Sequence, residues 1–392
     1  LRHSRATFSR NKGPVWNRKG AIMPTATLSG QSAIPAILRR NWLLLGIVAA
    51  HGVVALMTGL ALNRPFDPDV MKQLSRLFLS FVPMFLIFLA VWRFGVICVQ
   101  TRPRGGIPAA LAADLRAVFT DAERLLQGVF LLVVLSAFST GVMFLKSSIP
   151  QIVPFVWDPL FADLDRVLHG GVDPYRLLLP VVGGAIPTAI INFSYHFWIL
   201  MMYFCMFVAA FSRADGQRGD GGAGRVYVMT HVLIWIVGGN LMALVFSSAG
   251  PVYFERLGYG DTYAPLMAHL VQMKDLTTIW SLNVQDMVWT SYVEDRNIGI
   301  SAMPSMHLAT STLMAIYAFH HSRWLGRVMV AFVGIILIGS VYLGWHYAID
   351  SYAGIGVALV GWRVARWLVA LSDRGLDGAR GVFAAPHGVP AE

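Results

Sequence analysis

The stretch Ser301-Ala302-Met303-Pro304-Ser305-Met306-His307 opens an apolar run that continues to His321. A short basic turn follows, bounded by Arg323 and Arg327, and a second apolar run returns over residues 328–343. It leads into Gly344-Trp345-His346-Tyr347-Ala348-Ile349-Asp350, where a third apolar run begins. About 20 apolar residues cross the hydrocarbon core of a bilayer as a helix. Read that way, the chain crosses, comes back and crosses again. His307 and His346, 39 residues apart, then open two helices at the same membrane surface.

The same criterion applied outward gives eight spans: 43–62, 77–99, 126–145, 193–211, 226–246, 304–321, 328–343 and 345–368. The seventh is short and needs its flanks. Of the 392 residues 56% are hydrophobic and only 13% charged, with a mean hydropathy of +0.59. A soluble domain carries about 25% charged residues, so a water-soluble fold is excluded. The expected architecture is an all-α integral membrane protein. Residues 1–40 form a basic, disordered cytoplasmic tail, 41–371 the membrane catalytic domain, and 372–392 a second cytoplasmic tail. Met23 is read as a candidate start.

The net charge of +10 would suit a nucleic-acid binder, but its distribution follows the membrane. With the N-terminus inside, the inner segments hold 21 Lys and Arg against 9 outside. That is the bias expected of cytoplasmic loops. The reading is therefore N-in and C-in, with no nucleic-acid partner and with the two histidine openings on the non-cytoplasmic side of the membrane. Outside, the segment 146–192 carries Val156, Leu160, Leu164, Val167 and Leu168 at helical spacing, the pattern of an amphipathic interfacial helix. Inside, residues 216–224 form a Gly-rich flexible loop. Cys98 and Cys205 lie in apolar runs and read as buried thiols without a disulfide.

Ionisable groups facing a helix bundle in a membrane are costly unless used or paired. His346 and Asp350, four apart, are read as one helix face, close enough to hydrogen-bond. A carboxylate on one imidazole nitrogen would fix the tautomer and sharpen the other as a base or nucleophile. His307 would serve as the acid on a departing oxygen. The start of the span behind Ser305 offers backbone N–H groups and a positive dipole end to a phosphate, and the Ser305 hydroxyl adds a donor. His51, His196, His231 and His269 read as interfacial side chains.

At Pro304-Ser305-Met306-His307 and His346-Tyr347-Ala348-Ile349-Asp350 the chain resembles the second and third motifs of the type 2 phosphatidic acid phosphatase superfamily. Within it, the chain looks most like the branch that includes inositol phosphorylceramide synthases. A looser similarity extends through Trp157-Asp158, Asp165-Arg166, His169-Gly170 and Asp173-Pro174. The resemblance implies a six-helix core and metal-independent catalysis through a phosphohistidine. It makes His346 the nucleophile, Asp350 its partner, His307 the general acid and Ser305 a phosphate contact. Lipid phosphatases of the superfamily carry a first motif, Lys-x6-Arg-Pro, and no such string precedes His307. Arg296 is the candidate for the missing cation.

The branch resemblance implies a lipid phosphotransferase that moves a head group such as phosphoinositol between lipids, with no cofactor. Hydrolysis to water is the alternative, since only the acceptor differs. A transporter would suit eight spans, but no repeated halves accompany them. A zinc hydrolase would use the same histidines, but neither H-E-x-x-H nor a cysteine ligand is present.

Overall fold

The structure, a computed structural model, describes residues 30–65, 68–98, 106–212, 222–294 and 299–383. Arg296, most of the expected basic tail and most of the Gly-rich loop lie outside these residues. The described residues contain helices and no strand.

The end of the expected tail is helical, α1 (Gly30–Arg40), followed by α2 (Trp42–Ala61), α3 (Pro68–Val96), α4 (Ile107–Phe119) and α5 (Ala122–Ile152). Two short helices come next, α6 (Asp158–Leu168) and α7 (Pro174–Val182), then α8 (Ala185–Ala210) and α9 (Ala223–Val245). Another two short ones, α10 (Ala264–Met273) and α11 (Trp280–Val293), precede α12 (Met306–His321), α13 (Arg323–Tyr342) and α14 (Ala348–Phe383). Each of the eight expected spans falls on one of the helices α2, α3, α5, α8, α9, α12, α13 and α14. Six of them, α2, α5, α8, α9, α13 and α14, are long and apolar enough to cross a membrane. Only residues 79–95 of α3 are comparably apolar. The chain is an integral membrane protein by these helices.

α12 is the axis of the bundle. Its 16 residues are buried on nearly every side, and it packs against α8, α9, α13 and α14. At about 1.5 Å per residue it is shorter than the hydrocarbon core, and Pro304 and Ser305 stay outside the helix. Ser305 caps its start by accepting from the Leu308 N–H at 3.4 Å. Ser322 ends it and caps α13 in turn, accepting from the Leu325 N–H at 3.0 Å. That single residue between the two helices lets α13 recruit the basic flank Arg323–Arg327, which completes the short seventh span.

Helices in lipid gain little from apolar burial against one another, so small residues that allow close backbone approach decide the packing. Gly354 of α14 is one: a Cβ there would lie 2.4 Å from the Ser305 carbonyl oxygen. Its absence brings the first turns of α12 and α14 together. Gly250 is another. Its φ is +102°, and a Cβ would meet the Trp345 carbonyl oxygen at 2.5 Å.

α6 has the expected amphipathic character. Leu160, Leu164, Val167 and Leu168 are exposed, whereas Asp158, Phe161, Ala162 and Asp165 are buried. The face turned to the protein thus carries two carboxylates, and the face turned outward presents the four apolar side chains beside the exposed Asp163 and the half-buried Arg166. His51 and His231 differ from their expected interfacial placing: both are buried in the bundle. His51 Nε2 lies 3.0 Å from Asn240 Oδ1, which a π-helical stretch of α9 (Trp235–Met242) turns toward α2 and α5. Cys98 and Cys205 are free and half-buried, rather than fully buried.

Candidate active site

The openings of α12 and α14 meet. The Ser305 N–H donates to the Asp350 carbonyl at 2.9 Å. The His307 and His346 rings stand edge to face with centroids 5.6 Å apart. Asp350 and Ser305 are fully buried, and His346 is 5% exposed. The structure therefore brings four of the five expected residues to one end of the bundle. Arg296, the fifth, lies outside the described residues.

The details revise one expectation. His346 is not on the helix face of Asp350: it sits two residues before α14. Its Nδ1 lies 2.8 Å from the Ala302 carbonyl oxygen and 3.5 Å from Asp350 Oδ2. A carbonyl oxygen only accepts, so Nδ1 carries the proton and donates it there. That leaves the lone pair on Nε2. The closer orienting group is a backbone carbonyl, and Asp350 lies just beyond it. Asp350 Oδ2 accepts the Tyr347 N–H at 3.0 Å, and Oδ1 has no hydrogen-bond partner among the described residues. Asp350 thereby holds the turn on which His346 is carried. Sequence spacing registers side chains, so the competition from the Ala302 carbonyl was invisible to it.

His307 is held between aromatic rings. Tyr195 stacks on it at 4.2 Å and Trp198 lies tilted at 4.1 Å. Both come from α8, three residues apart. Trp198 is fixed in turn by its Nε1–H bond to Thr310 Oγ1 at 2.7 Å. The amides of Met306 and His307 lie ahead of the helical ladder, whose first bond runs from the Ala309 N–H to the Ser305 carbonyl at 3.0 Å. The Ser305 oxygen is already a cap acceptor, so its contribution to an anion is the O–H proton.

The expected cation has a different candidate. The positive charge of Lys146, near the end of α5, bears on both His307 and His346. Gly299, shortly before the α12 opening, packs against the Lys146 backbone, where an added Cβ would lie 2.5 Å away. Among the described residues no carboxylate pairs with Lys146. Pro154 follows Lys146 at the spacing of the Lys-x6-Arg-Pro motif, with Val153 where that motif has arginine. The lysine and proline were legible in the sequence once the arginine was not required. Beside Lys146, Arg64 Nη1 donates to Ser147 Oγ and Ser148 Oγ at 3.3 and 3.1 Å.

α6 reaches the site through its two carboxylates, which sequence reading had left without a role. Burial raises both Asp158 and Asp165 above the ordinary carboxylate range, and their hydrogen bonds pull the other way. Among the described residues no cluster of three or more His, Cys, Asp or Glu is placed to hold a metal ion.

The family model described as the PAP2 superfamily matches residues 160–364, just over half of the chain. The matched region runs from α6 into α14 and includes both histidines. No curated protein matches the chain, and no solved structure does.

Proposed function

The chain belongs to the PAP2 superfamily, whose membrane proteins are of lipid phosphatase or phosphotransferase type, and on that premise we propose that it transfers phosphoryl-bearing head groups between lipids through a phosphohistidine on His346. The observation that carries the reading is the paired geometry of the two imidazoles. His346 has Nδ1 committed to the Ala302 carbonyl and Nε2 left with its lone pair, and the His307 ring lies 5.6 Å away.

In the first step Nε2 of His346 attacks phosphorus, and the bond from phosphorus to the leaving alcohol oxygen breaks. His307 gives its proton to that oxygen. In the second step an acceptor hydroxyl attacks the phosphohistidine, the P–N bond breaks, and His307 takes the acceptor's proton. Phosphoryl transfer asks the protein mainly for positioning and charge stabilisation. Lys146, the Ser305 hydroxyl and the leading amides of α12 supply charge and donors for the phosphoryl oxygens. None of these steps calls for a metal ion. The branch resemblance supports transfer over hydrolysis, with phosphoinositol as the head group and a ceramide-like or diacylglycerol lipid as acceptor. The same resemblance supports a bacterial inner membrane, with the site on its periplasmic side.

The test uses phosphatidylinositol labelled in its phosphate, offered to the reconstituted protein with and without ceramide or diacylglycerol. A labelled acceptor lipid that forms with wild type and not with His346→Ala supports transfer. Free inositol phosphate as the sole product assigns hydrolysis to water. Full turnover by a folded His346→Ala protein overturns the nucleophile.

A further inference from the structure

The carboxylates of α6 form two branches that converge on His346. Asp165, 2% exposed, accepts the Ala348 N–H at 2.6 Å and the Ile349 N–H at 2.9 Å, one on each oxygen. These are the first two amides of α14, directly before Asp350. An anion on such orphan donors fixes a helix start better than a neutral cap. One turn on, His169 of the same segment lies with Nε2 3.0 Å from the Tyr352 hydroxyl.

The second branch starts at Asp158, fully buried, whose Oδ1 accepts the Tyr347 hydroxyl at 2.8 Å. Its carboxylate also accepts the Ala249 N–H at 2.9 Å and the Gly250 N–H at 2.8 Å. The adjoining Ser248 accepts the Ala302 N–H on its carbonyl at 2.9 Å and the Met303 N–H on its hydroxyl at 3.2 Å. Ala302 is the residue whose carbonyl orients His346. One branch thus sets the acceptor of the His346 proton, and the other sets the turn that follows His346.

We propose that Asp165 and Asp158 are positioning residues for phosphoryl transfer, two buried carboxylates through which α6 fixes the His346 imidazole from both sides. The inference rests on the reading of His346 as nucleophile. Neither aspartate reaches the substrate; each acts through backbone amides or the Tyr347 hydroxyl. A reacting group held within about 0.5 Å of its productive place needs such support. A supporting group of this kind favours the transition state over the ground state.

Orthovanadate, which takes five-coordinate geometry on an imidazole, probes the transition state without requiring the lipid to be known. Inorganic phosphate probes the ground state. Affinities for both are read from the melting temperature of the full chain in detergent. Asp165→Asn, which keeps one acceptor oxygen and loses the charge, should weaken vanadate at least about tenfold and phosphate less than about twofold. Asp165→Glu should recover part of the loss. Tyr347→Phe, which removes one hydroxyl and leaves Asp165 intact, should weaken vanadate in the same selective way and covers the case in which Asp165→Asn fails to fold. Wild-type vanadate affinity in Asp165→Asn or Tyr347→Phe would overturn the proposal. So would a parallel loss of vanadate and phosphate, which is what a merely structural role gives. His346→Ala is the control for the premise: undiminished vanadate binding there refutes the nucleophile itself, independently of α6.

Discussion

The closest approach in the site is also its most exposed weakness. At Gly354 an added Cβ would lie 2.4 Å from the Ser305 carbonyl oxygen, against the 3.4 Å at which ordinary contact begins. Gly354→Ala must therefore part the first turns of α12 and α14 by about 1 Å. The added methyl meets a backbone oxygen, and neither can turn away, so no side-chain rotation relieves the overlap. Overpacking of this kind costs about 1–3 kcal/mol. The displacement falls on the Ser305 N–H to Asp350 carbonyl bond, 2.9 Å long, and carries Asp350 away from His307. A 1 Å misplacement of reacting groups costs about 100-fold in rate, equivalent to about 2.7 kcal/mol of activation free energy. The assay is turnover of a labelled lipid phosphate in vesicles, with a melting curve in detergent beside it. Gly356→Ala, where nothing lies within 4 Å, is the matched control. It should keep full activity and gain up to about 1 kcal/mol from helix propensity. Equal activity and stability in the two variants would refute the claim that close approach of α12 and α14 aligns the site.

Three further outcomes follow from the same geometry. His307→Asn should lower turnover about 100- to 10,000-fold on an alkyl phosphate and much less on an aryl phosphate, whose leaving group needs no proton; equal losses on both would remove His307 as the acid. Lys146→Gln should raise KM for a phosphate ester or lower kcat about tenfold or more, with partial recovery in Lys146→Arg, and an unchanged kcat/KM would exclude it as the phosphate cation. Activity of the purified protein after exhaustive chelation should equal that before; a loss restored by one divalent ion would mean that the transfer runs through a metal.

Much of this protein is set by local pattern. The apolar runs and the Lys and Arg bias specify an all-helical membrane chain, since a backbone in lipid must satisfy its hydrogen bonds within helices. The Pro304–His307 and His346–Asp350 openings could be placed together from topology alone, because one helix out and one back returns the chain to its starting surface. Those readings needed only periodicity and length.

Three things required the tertiary structure. The His346 proton goes to the Ala302 carbonyl, a backbone atom that no side-chain motif encodes. The charge of Lys146 reaches both histidines from α5, about 160 positions before the α12 opening, and Val153 stands where the Lys-x6-Arg-Pro string would have arginine. The amphipathic α6 could be foreseen from its apolar stripe, but not that Asp158 and Asp165 point inward onto the amides of Ala249, Gly250, Ala348 and Ile349. In each case the partner is a main-chain group or a distant charge, and its place is decided by how helices pack rather than by the residues beside it. Sequence alone brought the two histidine-bearing openings to one end of the bundle; packing decided which nitrogen of His346 keeps its lone pair and what holds that ring in place.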